Sequence, residues 1–197
     1  MPQARDWAAY YQQLRDRPPR RTLVAALDAF GETTDALAVD LGCGDGRDIV
    51  EILRRGWKVV AVDAEPEALR QLAARNLPNG ERITPIAARF EDVPLPLGVQ
   101  LVNSSFAMPL CEPEQFHALW TRIREALPPG GRFSGQWYGT RDSWMGRPGM
   151  TFLDRDAALG LLEGFDLEMF EEEEADGTTP RGKPKHWHIF HIVARKR

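Results

Sequence analysis

Three glycines at alternate positions, Gly42, Gly44 and Gly46, stand between a short apolar run, Leu37-Ala38-Val39, and a helical pattern from Ile49 that stops at Gly56. A strand that turns sharply into a helix through glycine can hold a ligand against bare backbone, because glycine reaches positive φ and carries no Cβ. The start of that helix also offers backbone N–H groups that lack intrahelical partners. Acids flank the turn at Asp40, Asp45 and Asp48, with Arg47 among them. Asp63 ends the next β-rich run, Trp57-Lys58-Val59-Val60-Ala61-Val62, 17 residues after Gly46. An acid at the end of a second strand can accept the ribose hydroxyls of a nucleoside ligand. His186 and His188, alternating around Trp187, are the candidate base or anion site, since imidazole changes charge near neutral pH. Arg20, Arg47 and Arg141 are candidate anion partners.

The elements that must position these residues follow from periodicity and punctuation. A first helix around Trp7, Tyr10, Tyr11 and Leu14, capped by Asp6, ends at Pro18-Pro19; a second runs from Thr22 to Phe30 and stops at Gly31. After Asp63, Pro66 opens a helix. Residues 82–88 form a third strand, whose Pro85 suits an edge. Residues 99–106 form a fourth strand and its exit. Pro113 begins a helix with Phe116, Leu119, Trp120, Ile123 and Leu127 on one stripe. Pro128-Pro129-Gly130-Gly131 turns into a fifth strand. Residues 139–150 read as a loop and Asp154 as a helix cap. The remainder reads as two long strands with Asp176-Gly177 as their turn. Alternating strands and helices imply an α/β protein.

The string Asp40-Leu41-Gly42-Cys43-Gly44-Asp45-Gly46-Arg47 resembles the first motif of class I S-adenosylmethionine-dependent methyltransferases. Asp63, the Phe90 to Pro94 turn and Leu127 to Gly131 match further places of that pattern. Within the superfamily, Gly42 to Arg47 and the terminal Ala194-Arg195-Lys196 are most similar to the tellurite-resistance methyltransferases. The resemblance implies a doubly wound, mostly parallel seven-stranded sheet with an antiparallel last strand. It places a short helical cap at 1–34 and a catalytic core at 35–197 within one domain. It implies S-adenosylmethionine as methyl donor, becoming S-adenosylhomocysteine, with no metal. The implied binding residues are Asp40, Gly42, Cys43, Gly44 and Arg47 at the amino-acid end. Asp63 and Ala64 serve the ribose, and Phe90 and Glu91 the adenine; at the carboxyl end of the fourth strand, Asn103, Ser104 and Ser105 point towards the methyl-donor region. Arg89 stands where many members carry an acid. Tyr10, Tyr11, Phe106 and Trp137 are the substrate-side candidates.

Composition bounds the function. The chain has 197 residues, 43% of them apolar, and a net charge of −4, so bulk charge gives no attraction for nucleic acid. Cys43 and Cys111 make neither a disulfide framework nor a metal-spaced cluster. With no membrane-length apolar run and no leader core, the expectation is a cytoplasmic monomer or homodimer acting on a small molecule. A dehydrogenase of the NAD type is the competing enzyme reading, and Arg47 stands against it by occupying the third-glycine place of G-x-G-x-x-G. A non-catalytic S-adenosylmethionine-binding protein is the third reading.

Overall fold

The computed structural model describes residues 17–179 and 182–197. Helix α1 (Arg21–Ala29) precedes strand β1 (Leu37–Leu41), and the glycine turn leads from β1 into α2 (Ile49–Arg54). Strand β2 (Lys58–Asp63), helix α3 (Pro66–Ala74) and strand β3 (Ile83–Ala87) complete the first half. The second half comprises β4 (Leu101–Ser104), α4 (Pro113–Ala126), β5 (Arg132–Gly139), β6 (Phe152–Leu153) and α5 (Arg155–Leu161). The long strands β7 (Phe165–Thr178) and β8 (Pro184–Lys196) close it. Seven strands lie in the order β3-β2-β1-β4-β5-β8-β7, and the two-residue β6 pairs with the end of β5. All pairings are parallel except those of β8, which inserts antiparallel between β5 and β7. Pro85 lies in the edge strand β3, where a missing N–H breaks no central ladder.

Both faces of the sheet are covered. On one, α1 and α2 pack Leu23, Leu27, Ile49 and Ile52 over Ala38, Val59 and Leu101. On the other, α4 packs Phe116, Leu119, Trp120 and Ile123 over Val39, Val102 and Phe133. Trp120 meets Phe133 and Trp137 edge-on at 5.0 and 5.1 Å, a favoured aromatic arrangement. Asp154 caps α5 by accepting the Ala157 N–H at 2.8 Å.

Two expectations change. Asp176-Gly177 is not the hairpin turn: pairing continues to Thr178 opposite Pro184, and the chain reverses between Thr179 and Lys183, with Gly182 at φ +73°. The glycine turn also keeps its amides for itself. Gly42 and Cys43 donate to the Val62 carbonyl, Gly44 to Asp63, and Gly46 to the Cys43 carbonyl. Those four amides are therefore engaged within the turn and β2, and what the glycines offer a ligand is space against bare backbone. The first expected helix, with Tyr10 and Tyr11, lies outside the described residues.

The loop at 139–150 is tied to β8 by a buried ion pair between Lys185 and Asp142. The Lys185 ammonium lies 4.0 Å from the Trp144 ring centroid and 4.3 Å from that of Trp187, so aromatic faces replace the water it has lost. Among the described residues, no helix is long and apolar enough to cross a membrane.

Candidate functional site

At the carboxyl ends of β1, β2 and β4 lies a cavity of about 530 Å³. Ligands of open α/β sheets bind in this crevice, and the volume falls within the usual range for small-molecule sites. Asp40, Gly42, Cys43, Gly44, Arg47, Asp63, Ala64, Phe90, Glu91 and Phe106 all line it. Among the described residues, seven acidic residues line it, Asp40, Asp45, Asp48, Asp63, Glu65, Glu91 and Glu112, with the three arginines Arg20, Arg47 and Arg89. A crevice of that sign favours a cationic ligand and disfavours a pyrophosphate.

Gly42 is required by the packing. At φ +73°, a Cβ on it would lie 2.2 Å from the Ala107 Cβ. A Cβ on Gly46, at φ +87°, would lie 2.3 Å from Leu72 Cδ1. Asp63 accepts the Gly44 N–H at 2.8 Å and the Glu65 N–H at 2.9 Å, so one carboxylate fixes the turn and faces the cavity.

Asp40 is the most constrained acid. It is 2% exposed; one oxygen accepts from Asn103 Nδ2 at 2.8 Å, while Oδ2 has no hydrogen-bond partner among the described residues. Burial first, and then the neighbouring Asp48 carboxylate, push the Asp40 carboxyl well above the usual carboxylate range, against the pull of Asn103. A buried acid short of a donor is suited to receive an ammonium group. Burial also pushes the Cys43 thiol up, and that of Cys111 to about 12, so neither thiol is a nucleophile near neutral pH.

Several expected residues lie elsewhere. Asn103 and Ser104 are fully buried behind the wall. Asn103 braces Asp40 and Asp48 and accepts from Ser134 Oγ at 2.8 Å, and Ser104 Oγ accepts the Met108 N–H at 3.0 Å. Ser105, one residue on, takes the lining position. Trp137 is buried in the aromatic core beneath α4 and does not reach the cavity. His186 lies between Asp176 and Glu174, outside the cavity. His188 is fully buried, with Nδ1 accepting the Arg141 N–H at 3.0 Å and Nε2 2.9 Å from Glu172. One nitrogen holds the loop through Arg141 and the other is engaged by Glu172 on β7, and neither histidine lines the cavity, so the catalytic role expected of this pair is not supported. Arg141 binds Glu172 and Glu174. The sequence reading did not single out Asp48, Glu65, Leu110, Glu112 or Gln115 as lining residues. Asp48 was available to it, since it ends the glycine motif.

Residues 38–131 match a family model described as a methyltransferase domain. TehB from Haemophilus influenzae superposes with a TM-score of 0.77 at 15% identity, covering 95% of this chain and 66% of that one. A TehB-like SAM-dependent methyltransferase from Corynebacterium glutamicum gives 0.65 at 19% identity, covering 97% and 96%. The 1,6-didemethyltoxoflavin-N1-methyltransferase of Burkholderia thailandensis, with 1,6-didemethyltoxoflavin and S-adenosylhomocysteine bound, gives 0.67 at 22% identity, covering 97% and 85%. This chain thus spans just under two thirds of the Haemophilus protein. None of the curated proteins matches this sequence.

Proposed function

We propose that this chain is a class I S-adenosylmethionine-dependent methyltransferase and that it methylates a small-molecule acceptor bound beside Phe106. The observation that carries the reading is the acidic cavity at the strand ends, lined by the glycine turn and by the buried acids Asp40 and Asp63. Asp40 would receive the donor's ammonium group, Gly42 and Gly44 would let the amino-acid part lie on the turn, and Asp63 would hold the ribose. Phe90 would flank the adenine. The bound donor supplies an electrophilic methyl group on a sulfonium. The protein's part is to align the acceptor, which alone can supply about 7–11 kcal/mol.

The acceptor side is aromatic. Phe106 and Leu110, both cavity residues, pack with Tyr138, Trp144, Phe152 and Trp187. A wall of that kind fits a compact, partly apolar molecule. The net charge of −4 gives no field for a nucleic acid. In support, the Burkholderia neighbour is a methyltransferase solved with 1,6-didemethyltoxoflavin and S-adenosylhomocysteine bound. Calorimetric titration with S-adenosylhomocysteine tests the donor site, with one saturable site expected. Release of label from methyl-tritiated S-adenosylmethionine into small phenols, heterocycles or thiols tests the acceptor class. Binding of NADH in place of S-adenosylhomocysteine would overturn the reading.

A further inference from the structure

His191 is a buried titratable group for which the donor site has no use. It stands on β8 directly opposite Gln136 on β5. The neighbouring register pairs Asn103 with Ser134, so Gln136 and His191 lie one side-chain layer nearer the carboxyl ends of β4 and β5. There the His191 ring meets Phe106 edge-on, with centroids 6.4 Å apart. Phe106 in turn lines the cavity.

The imidazole is 6% exposed, and its Nε2 lies 2.8 Å from Glu173 Oε2. An ionised carboxylate only accepts, so it holds the ring proton on Nε2 and leaves the lone pair on Nδ1. That Nδ1 is buried and has no hydrogen-bond partner among the described residues. Gln136 Oε1, on the facing strand, is in the same condition, its amide nitrogen being spent on Thr22 Oγ1 at 2.8 Å. Two neighbouring acceptors cannot satisfy each other, and leaving either without a donor is costly. What completes them is a molecule that brings X–H donors.

Resting on the methyltransferase reading, we infer that His191, oriented by Glu173, is the general base of the transfer, and that the acceptor is a small O–H or N–H compound rather than an oxyanion. The acceptor's lone pair forms the new bond to the methyl carbon, and the sulfur–methyl bond breaks with its pair staying on sulfur. The acceptor's proton passes to His191 Nδ1, and the imidazolium is held by Glu173. Burial lowers the imidazole pKa. The bond to Glu173 opposes that shift, Arg21 on α1 adds to it, and Glu171 on β7 opposes it more weakly. The ring is therefore neutral and able to accept a proton at pH 7. Access to Nδ1 requires Phe106 to move. That residue sits at φ +58° with its ring under the Arg20 guanidinium, 4.4 Å from the centroid.

Ring-nitrogen NMR on the full chain is the first test. The Nε2–H tautomer of His191 is expected at pH 7, and an Nδ1–H tautomer would overturn the inference. The second test uses methyl-tritiated S-adenosylmethionine with a panel of phenols and N–H heteroaromatics. H191Q should lower kcat by about 100-fold or more and abolish the acid limb of the kcat/KM pH profile. Binding of S-adenosylhomocysteine should stay within about twofold, and H186Q should behave as wild type throughout. Retention of kcat within about threefold in H191Q would sink the inference. So would a panel in which no O–H or N–H compound is methylated. Failure of the wild type to bind S-adenosylhomocysteine would instead count against the methyltransferase reading beneath it.

Discussion

Replacing Asp40 by asparagine should stabilise the ligand-free protein while weakening its hold on the donor. The Asp40 carboxylate is 2% exposed, lies beside Asp48, and has one oxygen with no partner among the described residues. An unsatisfied buried polar group costs about 1–3 kcal/mol. Asp40→Asn keeps the shape, preserves a carbonyl to accept from Asn103, and removes the charge. With ~2–4 °C per kcal/mol for a chain of this size, Tm should rise by about 2–12 °C at pH 8. The pH dependence identifies the cause. An acid whose folded pKa is raised binds more protons folded than unfolded, so stability is lost as pH climbs from the ordinary carboxylate value through the raised one. The gap between variant and wild type should therefore be small near pH 4 and widen towards pH 8. In exchange, the loss of a charge-assisted bond to the ligand's ammonium, worth about 1.5–3 kcal/mol, should weaken S-adenosylhomocysteine about 10- to 150-fold. Thermal melts across pH and calorimetry measure both. An unchanged or lower Tm at pH 8, with undiminished affinity, would refute the reasoning.

Gly42→Ala must place a Cβ 2.2 Å from that of Ala107 at φ +73°. The left-handed backbone costs roughly 1–2 kcal/mol and the overpacking about 1–3 more, readable as a lower urea midpoint together with lost ligand binding. Lys185→Met strands the buried Asp142 carboxylate and should destabilise by about 3–5 kcal/mol, with Lys185→Met/Asp142→Leu recovering most of it in the same denaturation assay. The bond to His188, then those to Arg141 and Arg155, hold the Glu172 carboxyl at about 2. Its contribution is present above the ordinary value near 4.5 and is lost as pH falls towards 2, so Glu172→Gln should flatten acid unfolding between those limits and leave S-adenosylhomocysteine binding unchanged.

The donor side was legible in the sequence because its signals are local. A glycine turn, an acid at a strand end, Pro66 and Pro113 at helix starts and Asp154 at a cap each act within a few residues. The acceptor side depends on strand phase, which no local signal sets. In β5 and β8, Trp137, His188 and Phe190 point to the α4 face or the loop-side core, whereas Gln136, Tyr138, Ile189 and His191 share the face that adjoins Phe106. A slip of one residue exchanges these sets, and the observed phase turns Trp137 and His188 away from the cavity that Phe106 lines. The hairpin turn lies beyond Asp176-Gly177 for a related reason. Asp-Gly favours a tight turn, yet the ladder carries Gly177 past it to pair with Lys185. Of the three residues expected at the end of β4, Asn103 and Ser104 are still within the strand and buried, and Ser105 is where it opens to the cavity.

A crystal structure grown with S-adenosylhomocysteine is the most direct measurement. The amino-acid end should lie over Gly42 and Gly44 with its ammonium at Asp40, the ribose at Asp63, and the sulfur directed towards Phe106. A cavity left empty at saturating ligand, or a ligand whose ribose lies away from Asp63, would contradict the assignment of this crevice as the methyl-donor site.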